Sequence, residues 1–213
     1  DRRPVRAAAG PRFAKLLGTS REGRFAPRDA DPRRWALLTV WDSPAKARRF
    51  EADGVTHRRW SALADERLRI DLRPLSSRGT WSRHTPFDDH TPSGDHTPSS
   101  GTAAPVAAIT RARLRPARAR TFRRAVPAVS ADLAAASGLR LALGIGEAPI
   151  GFQGTFSLWD SAEALSEFAY RRAPHAGVVR RTGAEGWYAE ELFARFAVLA
   201  VMGTFDGREP LGG

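Results

Sequence analysis

The chain contains no cysteine. This excludes disulfides, a thiolate nucleophile, cysteine-ligated iron–sulfur clusters, structural cysteine zinc sites and thiolate-ligated haem. Any bound metal must take its ligands from five His, from carboxylates, from two Tyr or from the single Met202. Lysine is nearly absent too: of 34 basic residues only Lys15 and Lys46 are Lys, and the rest are Arg. No apolar run approaches the roughly eighteen residues that a membrane-spanning helix needs. The opening DRRPVRAAAG lacks the apolar stretch of a secretory signal, so the expected compartment is the cytoplasm.

Arginine is what the chain has in excess, and the net charge is +11 with a pI near 11.4. A basic chain can bind nucleic acid or an anionic membrane face. Here the arginines are scattered and no groove-reading motif accompanies them, so nucleic acid is not an expected partner. A GC-rich genome accounts for the excess of Arg and Ala. The densest run, RARLRPARARTFRR (111–124), reads as a strand end followed by a solvated helix face.

Two stretches repeat. VWDSPAKARRFEADGVTH (40–57) and LWDSAEALSEFAYRRAPH (158–175) share an apolar residue before Trp-Asp-Ser, then Phe50 and Phe168, then His57 and His175, all 118 positions apart. Further on, Glu66 and Glu190 align, as do Gly79-Thr80-Trp81 and Gly203-Thr204-Phe205, now 124 apart. Between the halves, residues 82–104 are rich in Ser, Thr, Pro, Gly and Asp, with His-Thr-Pro recurring at His84, His90 and His96. That composition predicts a flexible linker and a small tandem duplication rather than a metal site.

After the linker, residues 105–116, 139–147, 151–159 and 188–201 read as strands. Residues 118–137 read as a helix stopped by Gly138, and a second helix starts at Asp160 with Glu163 completing a capping box. The order β-α-β-β-α-β is that of a ferredoxin-like unit. Before the linker, residues 12–20, 34–41 and 67–77 read as strands and Ser43-Pro44 opens a helix. The expected fold class is therefore α+β, with two tandem ferredoxin-like units whose sheets face each other in a dimeric αβ-barrel-like domain. The divisions are 1–81, 82–104 and 105–213. The first half has no counterpart of the first strand and helix of the second, so it reads as N-terminally truncated with an exposed sheet edge.

RFAKLLGTS, RRWALLTVWDS, LRLALGIGEAPIGFQGTFSLWDS and HAGVVRRTGAEGWYAEELFARF followed by GTFDGREPL resemble the spheroidene monooxygenase family, over nearly the whole chain except the His-Thr-Pro linker. The resemblance implies an oxygen-dependent ketolation of acyclic carotenoids in carotenoid biosynthesis, an electron donor such as a ferredoxin, and haem held in the C-terminal half. A polyene substrate implies a membrane surface as a further partner, met peripherally with help from the Arg-rich face. Chemistry agrees on the need for a cofactor, since oxidising such a C–H bond takes a metal or a flavin. No His has a carboxylate two residues later, as a common non-haem iron triad would. GIGEAPIG reads as a hairpin, not a dinucleotide loop.

With haem as the cofactor, His175 is the expected iron ligand, because His57 lies among Arg58, Arg59 and Trp60, a wetter setting. The bland alternative is that His175 packs or caps a helix. Strand alternation places Gln153, Thr155, Ser157 and Trp159 toward the barrel interior, and Phe152, Phe156 and Leu158 toward the helices. It likewise sends Leu192 and Phe196 to the helix side and Glu191 and Arg195 inward. Arg195 then holds a propionate or simply pairs with Glu191. Tyr170 and Arg171 stand about one turn before His175. Trp159, Gln153, Tyr170, Trp187 and Phe193 are the expected substrate lining. The competing reading is a non-catalytic αβ-barrel that binds haem or another apolar ligand.

Overall fold

A computed structural model describes residues 10–21, 29–87, 104–114, 132–147, 154–171 and 188–212, with the backbone alone for 114, 170, 171 and 188. Among the described residues the named elements are, in chain order, β1 (Phe13–Ser20), β2 (Ala30–Val40), α1 (Pro44–Asp53), α2 (Val55–Leu63), β3 (Leu68–Gly79), β4 (Val106–Leu114), β5 (Leu139–Gly146), β6 (Gly154–Trp159), α3 (Ala162–Arg171) and β7 (Tyr188–Gly203). The strands are where β-branched and aliphatic residues alternate with polar ones. All seven join one antiparallel sheet, ordered β2-β1-β5-β6-β4-β7-β3. The two halves join edge to edge in this one sheet, which the expectation of sheets facing each other did not specify. β1 of the first half hydrogen-bonds β5 of the second through Gly18↔Gly146 and Thr19↔Ile145, and β3 hydrogen-bonds β7. Backbone pairing satisfies those inner edges, which packing alone leaves open.

The sheet has an apolar layer on each face. The larger includes Phe13, Leu17, Trp81, Ile109, Leu158 and Phe196, with Ala36 and Leu38 of β2 and Ile70 and Leu72 of β3 packed against it. Residues from both ends of the sheet thus meet in one core, so the sheet curls toward a barrel and this is its inner face. The smaller layer, on the outer face, is Val106, Ala108, Ala142 and Trp159 under Leu165 and Phe168 of α3.

This reverses the expected faces of two strands. Phe156 and Leu158 belong to the inner cluster, while Trp159 lies outside beneath α3, fully buried, with its indole N–H donated to Ser157 Oγ at 2.9 Å. On β7, Leu192, Ala194 and Phe196 point inward. Arg195 is exposed on the other face and donates to Ser76 Oγ at 3.2 Å. The physical reason is that both faces of the sheet are covered, so each takes apolar residues. Alternation fixes which residues share a face, not which face is inside.

The helices follow their caps. Ser43 Oγ accepts from Lys46 N and Pro44 takes the first position of α1, as expected. The cap of α3 is Ser161, whose Oγ accepts from Ala164 N at 3.2 Å, rather than Asp160, which pairs with Arg140. Gly138, at φ +77, is in the left-handed region expected of a helix stop. The first residues of the expected linker, 82–87, are folded onto the sheet. Trp81 and His84 bridge a tight turn, and Phe87 is buried edge-on against Phe196 at 5.0 Å. Residues 88–103, with His90 and His96, lie outside the described residues, as does the expected helix up to 131.

Candidate functional site

The inner face carries one group of charged side chains among its apolar neighbours. β4 supplies Arg111, β7 supplies Glu190, β1 supplies Lys15, the end of β5 supplies Glu147, and the turn after β3 supplies Trp81. Arg111 is 4% exposed and Glu190 7% by side chain, which decides that this pair is buried. Arg111 donates Nη1 to Glu190 Oε2 at 2.7 Å and Nη2 to Glu147 Oε1 at 3.3 Å. Trp81 donates its indole N–H to Glu147 Oε1 at 2.6 Å, and Lys15 Nζ reaches Glu147 Oε2 at 3.0 Å and Ser82 Oγ at 2.6 Å. The Arg111 guanidinium lies 5.1 Å from the Trp81 ring centroid, a cation–π contact.

Local structure explains why these groups converge. Gly79 has φ +93, and a Cβ there would strike the Glu191 carbonyl, so only glycine lets β3 end against β7 at this point. The following turn then presents Thr80 Oγ1 at 3.1 Å and Arg83 N at 2.8 Å to Glu190 Oε1. Burial alone raises the Glu190 carboxyl. The N–H groups of Arg83 and Ser82 and the guanidinium of Arg111 outweigh that and hold it down at about 2. Burial likewise raises Glu147, and the donors Trp81 and Lys15 with the charges of Lys15 and Arg111 leave it lowered. Both carboxyls are thus ionised at neutral pH and balanced by Arg111 and Lys15. The arrangement acts as a fixed electrostatic frame at one end of the barrel, not as a general acid–base pair, which needs a pKa near the working pH.

Of the residues expected at a haem and substrate site, the three with described side chains, Trp159, Phe193 and Arg195, lie on the outer face. Trp159 fills the outer core against Phe168, with ring centroids 5.3 Å apart. Phe193 packs under the Arg78 guanidinium at 5.1 Å, and Arg195 bonds β3, both on the outer side of β7. Tyr170 and Arg171 close α3, with their backbone alone described; His175, Gln153 and Trp187 lie outside the described residues. Of the two remaining described histidines, His57 is half-buried on α2 and His84 is exposed in the turn after β3. No group of three His, Asp or Glu side chains suited to a metal occurs among the described residues. A cavity between Leu139, Leu141, Phe205 and Pro210 holds about 230 Å³, with Arg140 and Arg208 at its rim. Small-molecule and cofactor sites usually run to about 300–1,000 Å³. This cavity is therefore too small to seat a haem.

Lys15, Trp81, Arg111, Glu147 and Glu190 were not anticipated as a group. Their signal was present in the repeat of Glu followed by Gly-Thr-aromatic, and in one of only two lysines.

No family model matches the chain. Curated relatives do. The chain is 37% identical to the spheroidene monooxygenase of Rhodobacter capsulatus over 211 residues, covering 99% of this chain and 85% of that protein. It is 34% identical to that of Rubrivivax gelatinosus, covering 96% of this chain and 75% of that protein, and 33% identical to that of Cereibacter sphaeroides, covering 94% and 60%. Two solved structures are looser likenesses. A candidate monooxygenase of Fusobacterium nucleatum is 10% identical over 92% of this chain and 81% of its own (TM-score 0.44). A monooxygenase-like protein of Listeria innocua is 14% identical over 91% and 85% (TM-score 0.32).

The class so defined is an α+β monooxygenase built on one curled antiparallel sheet. Within that class the chain belongs to the spheroidene monooxygenase family.

Proposed function

We propose that the protein oxidises an acyclic carotenoid with molecular oxygen, installing a keto group near the end of the polyene, as a step of carotenoid biosynthesis. The observation that carries this reading is the 37% identity over 99% of the chain to a spheroidene monooxygenase. Each monooxygenase turn inserts one oxygen atom into a C–H bond, reduces the other to water and consumes two electrons and two protons; a keto group on a CH2 carbon takes two such turns, the geminal diol then losing water, so four electrons and four protons are consumed in all. An external donor such as a ferredoxin is therefore part of the proposal. The apolar inner face suits a polyene that gives up water along its length.

Haem held by His175 is the proposed oxygen-activating group, and it would supply the one-electron chemistry that side chains lack. Its support is the absence of Cys together with the family resemblance, and Arg171 is the proposed propionate partner, since Arg195 is turned to the outer side of β7. Two tandem ferredoxin-like units are the proposed architecture, supported by the order β5-β6-β4-β7, in which the first strand of the half lies between its third and fourth. A polyene lives in the membrane, and a peripheral approach is the proposed route. Among the described residues no helix is long and apolar enough to cross a membrane. Trp35, Leu199 and Met202 are exposed apolar groups that suit contact with lipid.

The test supplies the chain with an acyclic carotenoid, haem, a reductant and labelled oxygen. Chromatography with mass detection should show one labelled keto product that His175→Ala abolishes. Saturable haem or carotenoid binding without any oxygenated product would favour the non-catalytic barrel.

A further inference from the structure

The two closing turns of the barrel stand over equivalent places, and those places are filled differently. An arginine–aspartate pair marks each one, Arg12 with Asp42 at 3.7 Å in the first half and Arg140 with Asp160 in the second. The residue after the arginine is Phe13 in one case and Leu141 in the other. Phe13 is 8% exposed and meets the Trp81 ring edge-on, with centroids 5.7 Å apart, and the His84 ring at 6.2 Å. Trp81 and His84 have Phe205 and Arg208 as their repeat mates, 124 residues on. Three rings fill the first place, and only one stands in the second. Space of about 230 Å³ is left there between Leu139, Leu141, Phe205 and Pro210. Phe205 is accordingly only half-buried, whereas Trp81 is 1% exposed.

The lining says what suits this space. Leu141 belongs to the inner core and is 2% exposed, so the cavity ends on the apolar inside of the barrel. It opens between Arg140, Arg208 and Glu209, all of them exposed. These charges do not make an anion site, because Arg140 already pairs with Asp160 and Glu209 brings a negative charge to the rim. Arginine stems cover apolar surface while their heads stay in water. The interior therefore favours a neutral, apolar ligand. A dry cavity of about 150 Å³ accepts the six carbons of benzene, and on that scale this one takes about nine carbons, close to two isoprene units.

We propose that this cavity seats the acyclic end of the polyene, holding its last two isoprene units while the conjugated chain runs out through the mouth. The proposal rests on the reading of the protein as a carotenoid monooxygenase. A polyene repeats one unit along its length, so a protein can set its register only at an end. Seating that end decides which carbon stands at the oxygen-activating group, and burying it supplies affinity.

The probe is myrcene, a ten-carbon acyclic isoprenoid hydrocarbon, titrated into the whole chain by calorimetry. Saturable one-to-one binding is expected. Nuclear Overhauser contacts should run from its methyl groups to Leu139, Leu141 and Phe205. Leu141→Phe copies Phe13 into the cavity and should weaken myrcene about tenfold, with the far-ultraviolet circular dichroism unchanged. Supplied with an acyclic carotenoid, haem, a reductant and oxygen, the same variant should show a KM raised about tenfold and keto products at more than one carbon. No saturable binding of myrcene, or contacts confined to other residues, would overturn the seat. So would a folded Leu141→Phe chain that forms the parent's single product at the parent's KM. A parent chain that holds myrcene against these three residues and oxygenates no carotenoid would support the seat and end the monooxygenase reading.

Discussion

The turn after β3 and the turn after β7 are written almost alike and end up in different physical states. Each follows a glycine at positive φ, Gly79 at +93° and Gly203 at +87°. Each then has Thr, an aromatic residue and a two-residue turn whose N–H groups cap a glutamate, Glu190 in one case and Glu66 in the other. At Glu190 the cap is buried under Arg111 and continues to Glu147 and Lys15. At Glu66 it faces solvent, and Arg34 meets Asp206 beside it. The aromatic follows the setting. Trp81 has an N–H and finds Glu147, whereas Phe205 has none, and Thr19 follows Gly18 where Glu147 follows Gly146. A local motif fixes the shape of a turn, and the neighbouring strands decide whether it becomes part of a core.

The sharpest way to break that contrast is to remove the arginine. Arg111→Met leaves two carboxylates facing a buried space without their main counter-charge. Such a loss usually costs about 3–5 kcal/mol. Urea unfolding should show it as a lowered midpoint with the slope kept. Glu66→Gln in the exposed copy should leave the midpoint where it is. Equal shifts in the two variants would mean that the two turns do the same work after all.

Acid should separate the copies next. The Glu190 pKa is depressed to about 2 from its ordinary 4.5. A depressed carboxyl contributes stability that is fully present above the unfolded value and is lost as pH falls through the folded one. For this shift the contribution is about 3 kcal/mol, disappearing between roughly pH 4.5 and pH 2. Stability measured across that window should fall steeply in the parent and much less in Glu190→Gln. Glu66 is also lowered, first by the Gly207 N–H and then by Thr204, but in solvent. Its Gln variant should leave the acid limb unchanged.

These contrasts also show how far the sequence could be read. The strands from 12–20 to 188–201 were legible because their apolar alternation is strong, and their ends fell within a few residues of β1 to β7. The relation between the halves was legible in Trp-Asp-Ser and in Gly-Thr-aromatic. The inner and outer faces of β6 and β7 were not, because both faces of a doubly covered sheet are apolar. Phe156 beside Trp159 offers no clue as to which is inside. Nor was the polar frame legible. Lys15, Trp81, Arg111, Glu147 and Glu190 are spread over five segments, and only strand order brings them together. The join of β1 to β5 was hidden for the same reason: Gly18 and Gly146 fall within expected strands, but nothing local says that those two strands meet.

A third contrast concerns the aromatic position alone. Trp81→Phe removes the N–H that Glu147 accepts at 2.6 Å and leaves the ring. Losing one donor to a partly buried carboxylate costs about 1–3 kcal/mol. The reciprocal change, Phe205→Trp, adds an N–H with no carboxylate placed like Glu147 to receive it, and should stabilise nothing. Thermal melts of the two variants would read this directly. A gain from Phe205→Trp would show that the second turn holds an acceptor which the geometry does not reveal.

The smallest effect belongs to Arg34. Its guanidinium pairs with Asp206 and lies 4.6 Å from the Phe205 ring centroid, so it takes at Phe205 the place that Arg111 takes at Trp81. The likeness is in geometry only. The Arg34 side chain is 29% exposed and that of Asp206 41%, so water screens both charges. An exposed pair of this kind is worth about 0–1 kcal/mol, and salt weakens it further. Arg34→Ala should therefore move the unfolding midpoint slightly at low ionic strength and not at all in molar salt. Arg111→Met should cost nearly the same in both, because its nearer partner, Glu190, is only 7% exposed by side chain. A strong, salt-independent loss at Arg34 would mean that the pair is shielded from solvent as Arg111 is. The two arginines would then differ only in which strand carries them.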